Sequence, residues 1–193
     1  MKIFKNSKIK LMLITALFIV ILFSIYLVNK PKAPQALISS DESLIKIYKS
    51  ERILELYINE TLTDTFSIGL GSSPKGDKYK EGDKKTPVGK YYVCTRNEKS
   101  RFTLFLGLSY PDIEDAKNAL DNDFISKETY DSIVDAIEKG LQPPWKTKLG
   151  GEVGIHGGGS NTDWTWGCIS LSDEDVKKLW LYAPLNTPVE IYE

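Results

Sequence analysis

Residues 154–171 read GIHGGGSNTDWTWGCISL. The segment holds the chain's only histidine, His156, and one of its two cysteines, Cys168, with Gly157, Gly158, Gly159 and Gly167 between them. A cysteine with an imidazole in reach is the smallest set for thiolate chemistry, because the ring can take a thiol proton whose ordinary pKa is ~8.5. Small residues near a nucleophile let backbone N–H groups turn toward a developing oxyanion, and Gly167 and Cys168 are the natural donors. His156 ends an apolar run and opens a glycine run, which predicts a ring at a strand end, where loops build sites. Asn161, Thr162, Asp163, Trp164 and Trp166 precede the cysteine with no apolar periodicity, which is poor core composition. The competing reading is a core cysteine beside a structural imidazole, and composition alone does not separate the two.

Other chemistries find less support. One histidine and two cysteines give no paired ligand spacing, so no metal is expected. The His-Gly-Gly-Gly-Ser run is similar to the oxyanion loops of some esterases, but no Gly-x-Ser-x-Gly elbow occurs anywhere in the chain. Residues 1–32 carry six lysines and no acids, so the other 161 residues hold 19 basic and 26 acidic side chains. A body with that acidic balance has no electrostatic footprint for phosphate backbones, and nucleic-acid binding is not expected.

Outward from the central segment, extended and helical patterns alternate. Leu44–Tyr48 and Ile53–Ile58 are apolar–polar runs split by Lys-Ser-Glu-Arg, the pattern of a hairpin, and Leu62–Leu70 follows. A glycine-rich polar loop precedes strand candidates at Tyr91–Cys94 and Phe102–Leu108. Residues 112–120 and Ser126–Gly140 read as helices, the second with Tyr130, Ile133, Val134 and Ile137 on one face and Gly140 as its stop. Val153–His156 and Cys168–Leu171 return to strand. Ser172 with Asp175 three residues on predicts a capped helix, and Pro188–Tyr192 a last strand. The fold class is mostly β (α+β) with helical insertions. The 112–140 insertion, lying between the chemistry-bearing segments, is either a lid over a cleft or a surface decoration.

Leu11–Val28 is an 18-residue run without charge, glycine or proline. At ~1.5 Å per residue it is ~27 Å long, close to the ~30 Å hydrocarbon thickness of a bilayer. No small-x-small cleavage site follows at a suitable place, so a retained transmembrane anchor is expected rather than a cut signal peptide. Four lysines before the run against two after it predict a cytoplasmic N-terminus and a single pass through the cell membrane, with the rest outside. The organisation is therefore 1–10 cytoplasmic, 11–28 anchor, 29–41 linker and 42–193 one extracytoplasmic domain. Outside the cytoplasm Cys94 and Cys168 could pair. A bridge would block the thiol chemistry, and the active protein is expected to lack it.

Ile155-His156-Gly157 followed by Gly167-Cys168-Ile169 resembles the L,D-transpeptidase catalytic domain, the YkuD-type family of cell-wall enzymes. Two upstream segments agree: Gly82-Asp83-Lys84-Lys85-Thr86-Pro87-Val88-Gly89-Lys90-Tyr91, similar to a Thr-Pro-x-Gly-x-Tyr element, and Phe105-Leu106-Gly107-Leu108-Ser109-Tyr110-Pro111. Asp163-Trp164-Thr165-Trp166-Gly167-Cys168 is similar to the YafK and ErfK-like branch. The resemblance implies a β-sandwich-like domain and a Cys168 nucleophile with His156 as its base, forming a thioester on peptidoglycan stem peptides. Terminal D-Ala would leave and an amine would resolve the thioester as a 3→3 cross-link, with no cofactor, nucleotide or metal. Two positions depart from the family pattern. Trp166 stands where a second histidine is usual, and Ser170 where Arg or Asn is common, which affects thioester polarisation and carboxylate recognition. Two alternatives follow: a hydrolytic relative that passes the acyl group to water, and a catalytically silent wall-binding module. Gly157, Asp163, Trp164, Trp166 and Ser170 are candidate substrate-binding residues. Packing is the main expectation for both tryptophans and loop fixation the alternative for Asp163. Lys84 and Lys85 are expected to be solvated.

Overall fold

The structure, a computed structural model, describes residues 39–193. The anchor at 11–28 and nearly all of the linker lie outside the described residues. Among the described residues no helix is long and apolar enough to cross a membrane. After one 3-10 turn come β1 (Ser43–Tyr48), β2 (Ile53–Ile58), β3 (Thr61–Ser67), β4 (Gly89–Asn97) and β5 (Phe105–Leu108). Helices α1 (Ile113–Asp121) and α2 (Lys127–Glu138) follow, then β6 (Gly154–His156), β7 (Ile169–Ser170), α3 (Asp173–Trp180) and β8 (Pro188–Tyr192). The helix ends follow from capping chemistry. Asp112 and Asp115 exchange side-chain and backbone bonds at the start of α1, while Ser126 and Ser172 accept from the backbone N–H groups of Thr129 and Asp175. Gly140, at φ +66°, stops the chain just past α2.

The strands form one eight-stranded sheet, in the order β3-β2-β1-β8-β4-β5-β6-β7. The mostly-β class with helical insertions is as expected, and the sandwich-like form is made by one continuous sheet that curls until its two edges meet. The run from Leu62 to Leu70 is therefore not one strand. Residues up to Ser67 pair with β2, and the chain then crosses to β7, where Gly69 and Ser170 exchange N–H···O bonds of 2.8 Å in both directions. Closure of this kind covers the backbone groups that an open edge would leave unpaired. Gly69 makes the approach possible, since a Cβ there would collide with the Thr162 carbonyl and lie 2.8 Å from Ser170 Oγ.

Alternation decides which residues fill the curl. Ile45 and Ile47 of β1, Leu54 and Leu56 of β2 and Val189 and Ile191 of β8 are buried, joined by Leu106, Leu108, Ile155 and Ile169. Val176 and Leu179 on one face of α3 close this core. The α1–α2 pair has a smaller core of its own around Ala116, Ala119, Ile133 and Leu149.

Candidate functional site

β6 and β7 are adjacent parallel strands, registered Ile155↔Ile169 and His156↔Ser170. That pairing brings the end of β6, which carries His156, beside the chain entering β7, which carries Cys168. Both residues line one groove of about 1370 Å³. His156 is buried and fixed on three sides. Its Nδ1 lies 2.6 Å from the Gly157 carbonyl, its ring stacks on Phe102 at 4.5 Å, and Trp164 meets it edge-on at 5.6 Å. A carbonyl can only accept, so Nδ1 carries the proton and Nε2 keeps its lone pair in the neutral ring. The Cys168 thiol is half-buried and donates to the Glu152 carbonyl at 3.4 Å.

Withdrawal from solvent pushes the Cys168 thiol up to about 11; the Gly154 N–H and the Lys78 charge act against this, and Glu152 adds to it. Burial also holds the His156 imidazole below its ordinary value, with the Gly157 carbonyl opposing and Arg101 reinforcing. The resting pair is therefore thiol and neutral imidazole, not an ion pair. Alkylation of Cys168 by iodoacetamide, followed by peptide mapping, is expected to climb about tenfold per pH unit from pH 7 to 10, because only the thiolate reacts. A plateau near pH 8 would contradict this assignment.

The turn before Cys168 is held by groups that the sequence reading did not single out. Thr165 Oγ1 donates to the Cys168 carbonyl at 2.7 Å and accepts from the Gly167 N–H at 3.2 Å. One of the two expected oxyanion donors, Gly167, is thus already engaged. Gly167 sits at φ +131°, and a Cβ there would lie 2.7 Å from the Lys85 carbonyl. The Thr-Pro element contributes next door, where the buried Thr86 hydroxyl accepts from the Gly71 N–H at 3.0 Å. Buried Lys78 also reaches the groove, its ammonium paired with Asp83 at 2.8 Å.

The remaining candidates divide. Asp163 accepts from Arg52 Nε and Nη2 and from the Leu70 N–H, so it ties the loop to the β1–β2 turn. Burial opposes its charge, but the Arg52 and Leu70 bonds hold its carboxyl below the ordinary value. Ser170 is fully buried and does not line the groove. Gly157 donates to the Phe102 carbonyl and acts through the His156 ring. Trp164 and Trp166 both line the groove; Trp164 donates to the Gly159 carbonyl, whereas Trp166 is 75% exposed, with Lys84 over its ring. Packing, expected for both tryptophans, does not describe Trp166. Lys84 is exposed, as expected, with its ammonium 5.3 Å from the centre of the Trp166 ring. Neither α1 nor α2 lines the groove, but Gln142, Trp145 and Glu152 in the segment after them do. Cys94 is free, like Cys168, and burial pushes its thiol up to about 12. Among the described residues no group of three or more His, Cys, Asp or Glu is placed to hold a metal ion.

Residues 42–191 match the L,D-transpeptidase catalytic domain family, YkuD, and the chain belongs to that family. Among solved structures it is similar to the helical cell shape determining protein Pgp2 (K307A mutant) from Campylobacter jejuni, at 20% identity and a TM-score of 0.55, over 84% of this chain and 57% of that one. It is also similar to Bdellovibrio bacteriovorus Bd1075, at 19% identity and a TM-score of 0.53, over 83% and 53%. An L,D-transpeptidase from Xylanimonas cellulosilytica matches at 18% identity and a TM-score of 0.45, over 80% and 62%. The chain thus spans between about half and three-fifths of the length of these structures. No curated protein matches the sequence.

Proposed function

We propose that this chain is a cysteine acyltransferase acting on peptidoglycan stem peptides, with Cys168 as nucleophile and His156 as base. The observation that carries the reading is the pairing of β6 and β7. It sets a histidine with Nδ1 committed to a carbonyl beside a cysteine in the same groove. Family membership supports the substrate class. As Cys168 Sγ attacks the carbonyl carbon of the third stem residue, its proton passes to His156 Nε2. The Cys168 N–H is the remaining oxyanion donor. The C–N bond to D-Ala then breaks, the departing amine takes the proton from the imidazolium, and a thioester is left on Cys168. An amine of a second stem resolves it by the reverse proton path. The groove walls suit a substrate rich in carboxylates, because Lys99, Arg101, Lys146 and Lys148 line it without an ion pair among the described residues. The reading includes a membrane anchor at 11–28 with the domain outside the cytoplasm, supported by the lysine bias of the first 32 residues.

Intact-mass spectrometry after incubation with a carbapenem tests the chemistry. The expected result is a single adduct on Cys168 that is lost in His156→Ala. A folded protein with both thiols free and no adduct would move the weight to a silent wall-binding module.

A further inference from the structure

Two acidic residues, Glu81 and Glu152, line a groove whose other charged residues are all cationic. Glu152 is placed against the interests of the nucleophile. Its carbonyl touches Cys168 Sγ, and its negative charge makes the thiol harder to ionise. Its backbone sits at φ +54°, a conformation that glycine or asparagine holds with less strain. The side chain is exposed, and the carboxylate has no ion pair or hydrogen bond among the described residues. Lys49, Arg52 and Lys78, by contrast, each have an acidic partner. An unpaired carboxylate in a strained residue beside a thiol that must lose a proton is a poor arrangement for acylation alone. It suits the step after acylation, when a cation has to come to the same place.

We propose that the Glu152 carboxylate binds the acceptor amine beside the thioester at Cys168 and so directs the acyl group to a primary amine in preference to water. This rests on the acyl-transfer reading of the same site. The attacking nitrogen must reach the acyl carbon bonded to Sγ, next to the residue whose carbonyl already touches that sulfur. The donor's own side-chain amine lies several bonds further from the acyl carbon, which assigns the carboxylate to the acceptor. The amine arrives as ammonium, held by Glu152, and gives one proton to solvent. Its lone pair then forms the new C–N bond while the C–S bond breaks and its electron pair stays on sulfur. The second amine proton passes through His156 Nε2 to the Cys168 thiolate, which restores thiol and neutral imidazole.

The full-length chain is incubated with a tetrapeptide stem that carries a diamino acid at its third position and serves as both donor and acceptor. Cross-linked dimer, hydrolysed tripeptide and the Cys168 acyl-enzyme are quantified by mass spectrometry. Glu152→Gln is expected to lower the ratio of dimer to tripeptide by about ten- to a hundredfold, the loss expected on removing a charge-assisted bond. Acyl-enzyme should form at least as fast as in the parent, because the charge opposing thiol ionisation is gone. Glu152→Asp, which keeps the charge, should retain more dimer than the glutamine variant. An unchanged ratio in Glu152→Gln overturns the proposal. So does a parent enzyme that forms acyl-enzyme yet releases only tripeptide, a result that leaves acylation of Cys168 by stem peptide standing and moves the chain to the hydrolytic alternative. A parent that forms no acyl-enzyme overturns both.

Discussion

Replacing Cys168 by alanine is expected to lower turnover of stem peptides by about 10⁴-fold or more while the melting temperature moves by only a few degrees. The activity loss follows from chemistry, because no other side chain in the groove can form a thioester. Cys94 cannot stand in. It donates to the Gly107 carbonyl, does not line the groove, and burial pushes its thiol up to about 12. The small stability effect follows from packing. The Cys168 side chain is half-buried and makes one long bond to the Glu152 carbonyl, so alanine leaves no large cavity and takes only one weak donor from that carbonyl. The turn itself is held through backbone atoms, by Thr165 Oγ1 on the Cys168 carbonyl and the Gly167 N–H, and these bonds survive the substitution. Steady-state release of D-Ala, measured alongside thermal unfolding, checks both halves. Retained turnover would remove Cys168 from the mechanism. Lost turnover with a collapsed melting curve would make it a core residue.

Local chemistry made much of this molecule legible in its sequence, and long-range pairing hid the rest. The β1–β2 hairpin, the Ser126 and Ser172 caps and the Gly140 stop are set within a few residues of themselves, and each forms where its pattern lies. The curl is set by contacts between segments a hundred residues apart. Ile68 and Leu70 continue the alternation of β3, so nothing in Leu62–Leu70 marks the crossing to β7 except Gly69. β5 likewise begins at Phe105 and not at Phe102, whose ring is drawn onto His156.

The site divides in the same way. His156 and Cys168 are legible because few residue types can do their chemistry and the chain offers almost no others. The role of Asp163 depends on Arg52, 111 positions away, and becomes visible only once the β1–β2 turn meets the loop. Ser170 lies on the face of β7 that carries Cys168, but the crossing chain at Gly69 covers it, so it is buried and does not line the groove. Trp166 is exposed, whereas Trp164, two residues earlier and also partly exposed, lays its ring edge-on to His156, a difference that composition does not record. Glu152 follows two glycines, and that was the available signal for a carbonyl brought close to the thiol.

Replacing Lys78 by methionine is expected to cost about 3–5 kcal/mol, the penalty of leaving one member of a buried ion pair alone. For a domain of this size that is a fall in melting temperature on the order of 10 °C. The side chains of Lys78 and Asp83 are only 4% and 3% exposed and lie 2.8 Å apart. Asp83 also accepts from the N–H groups of Tyr79, Lys80 and Lys85, so the pair organises the whole loop. Asp83→Asn should cost less than Lys78→Met, since a neutral amide oxygen can still accept part of that set. Burial opposes the Asp83 charge, but the Lys78 bond and the three N–H bonds outweigh it and hold the carboxyl below its ordinary value. The pair's contribution is therefore complete above an unfolded value of about 3.9 and disappears as pH falls through the lower folded value. Thermal unfolding of both variants at pH 7 and at pH 3 reads this directly, and a Lys78→Met melting point within error of the parent would sink it. The same substitution removes the cation that eases ionisation of the Cys168 thiol. Alkylation of folded Lys78→Met at a fixed pH should then be slower than in the parent, whereas in Glu152→Gln it should be faster. Opposite shifts from two groove residues of opposite charge would mark the effect as electrostatic, because general loosening of the loop would expose the thiol and accelerate both.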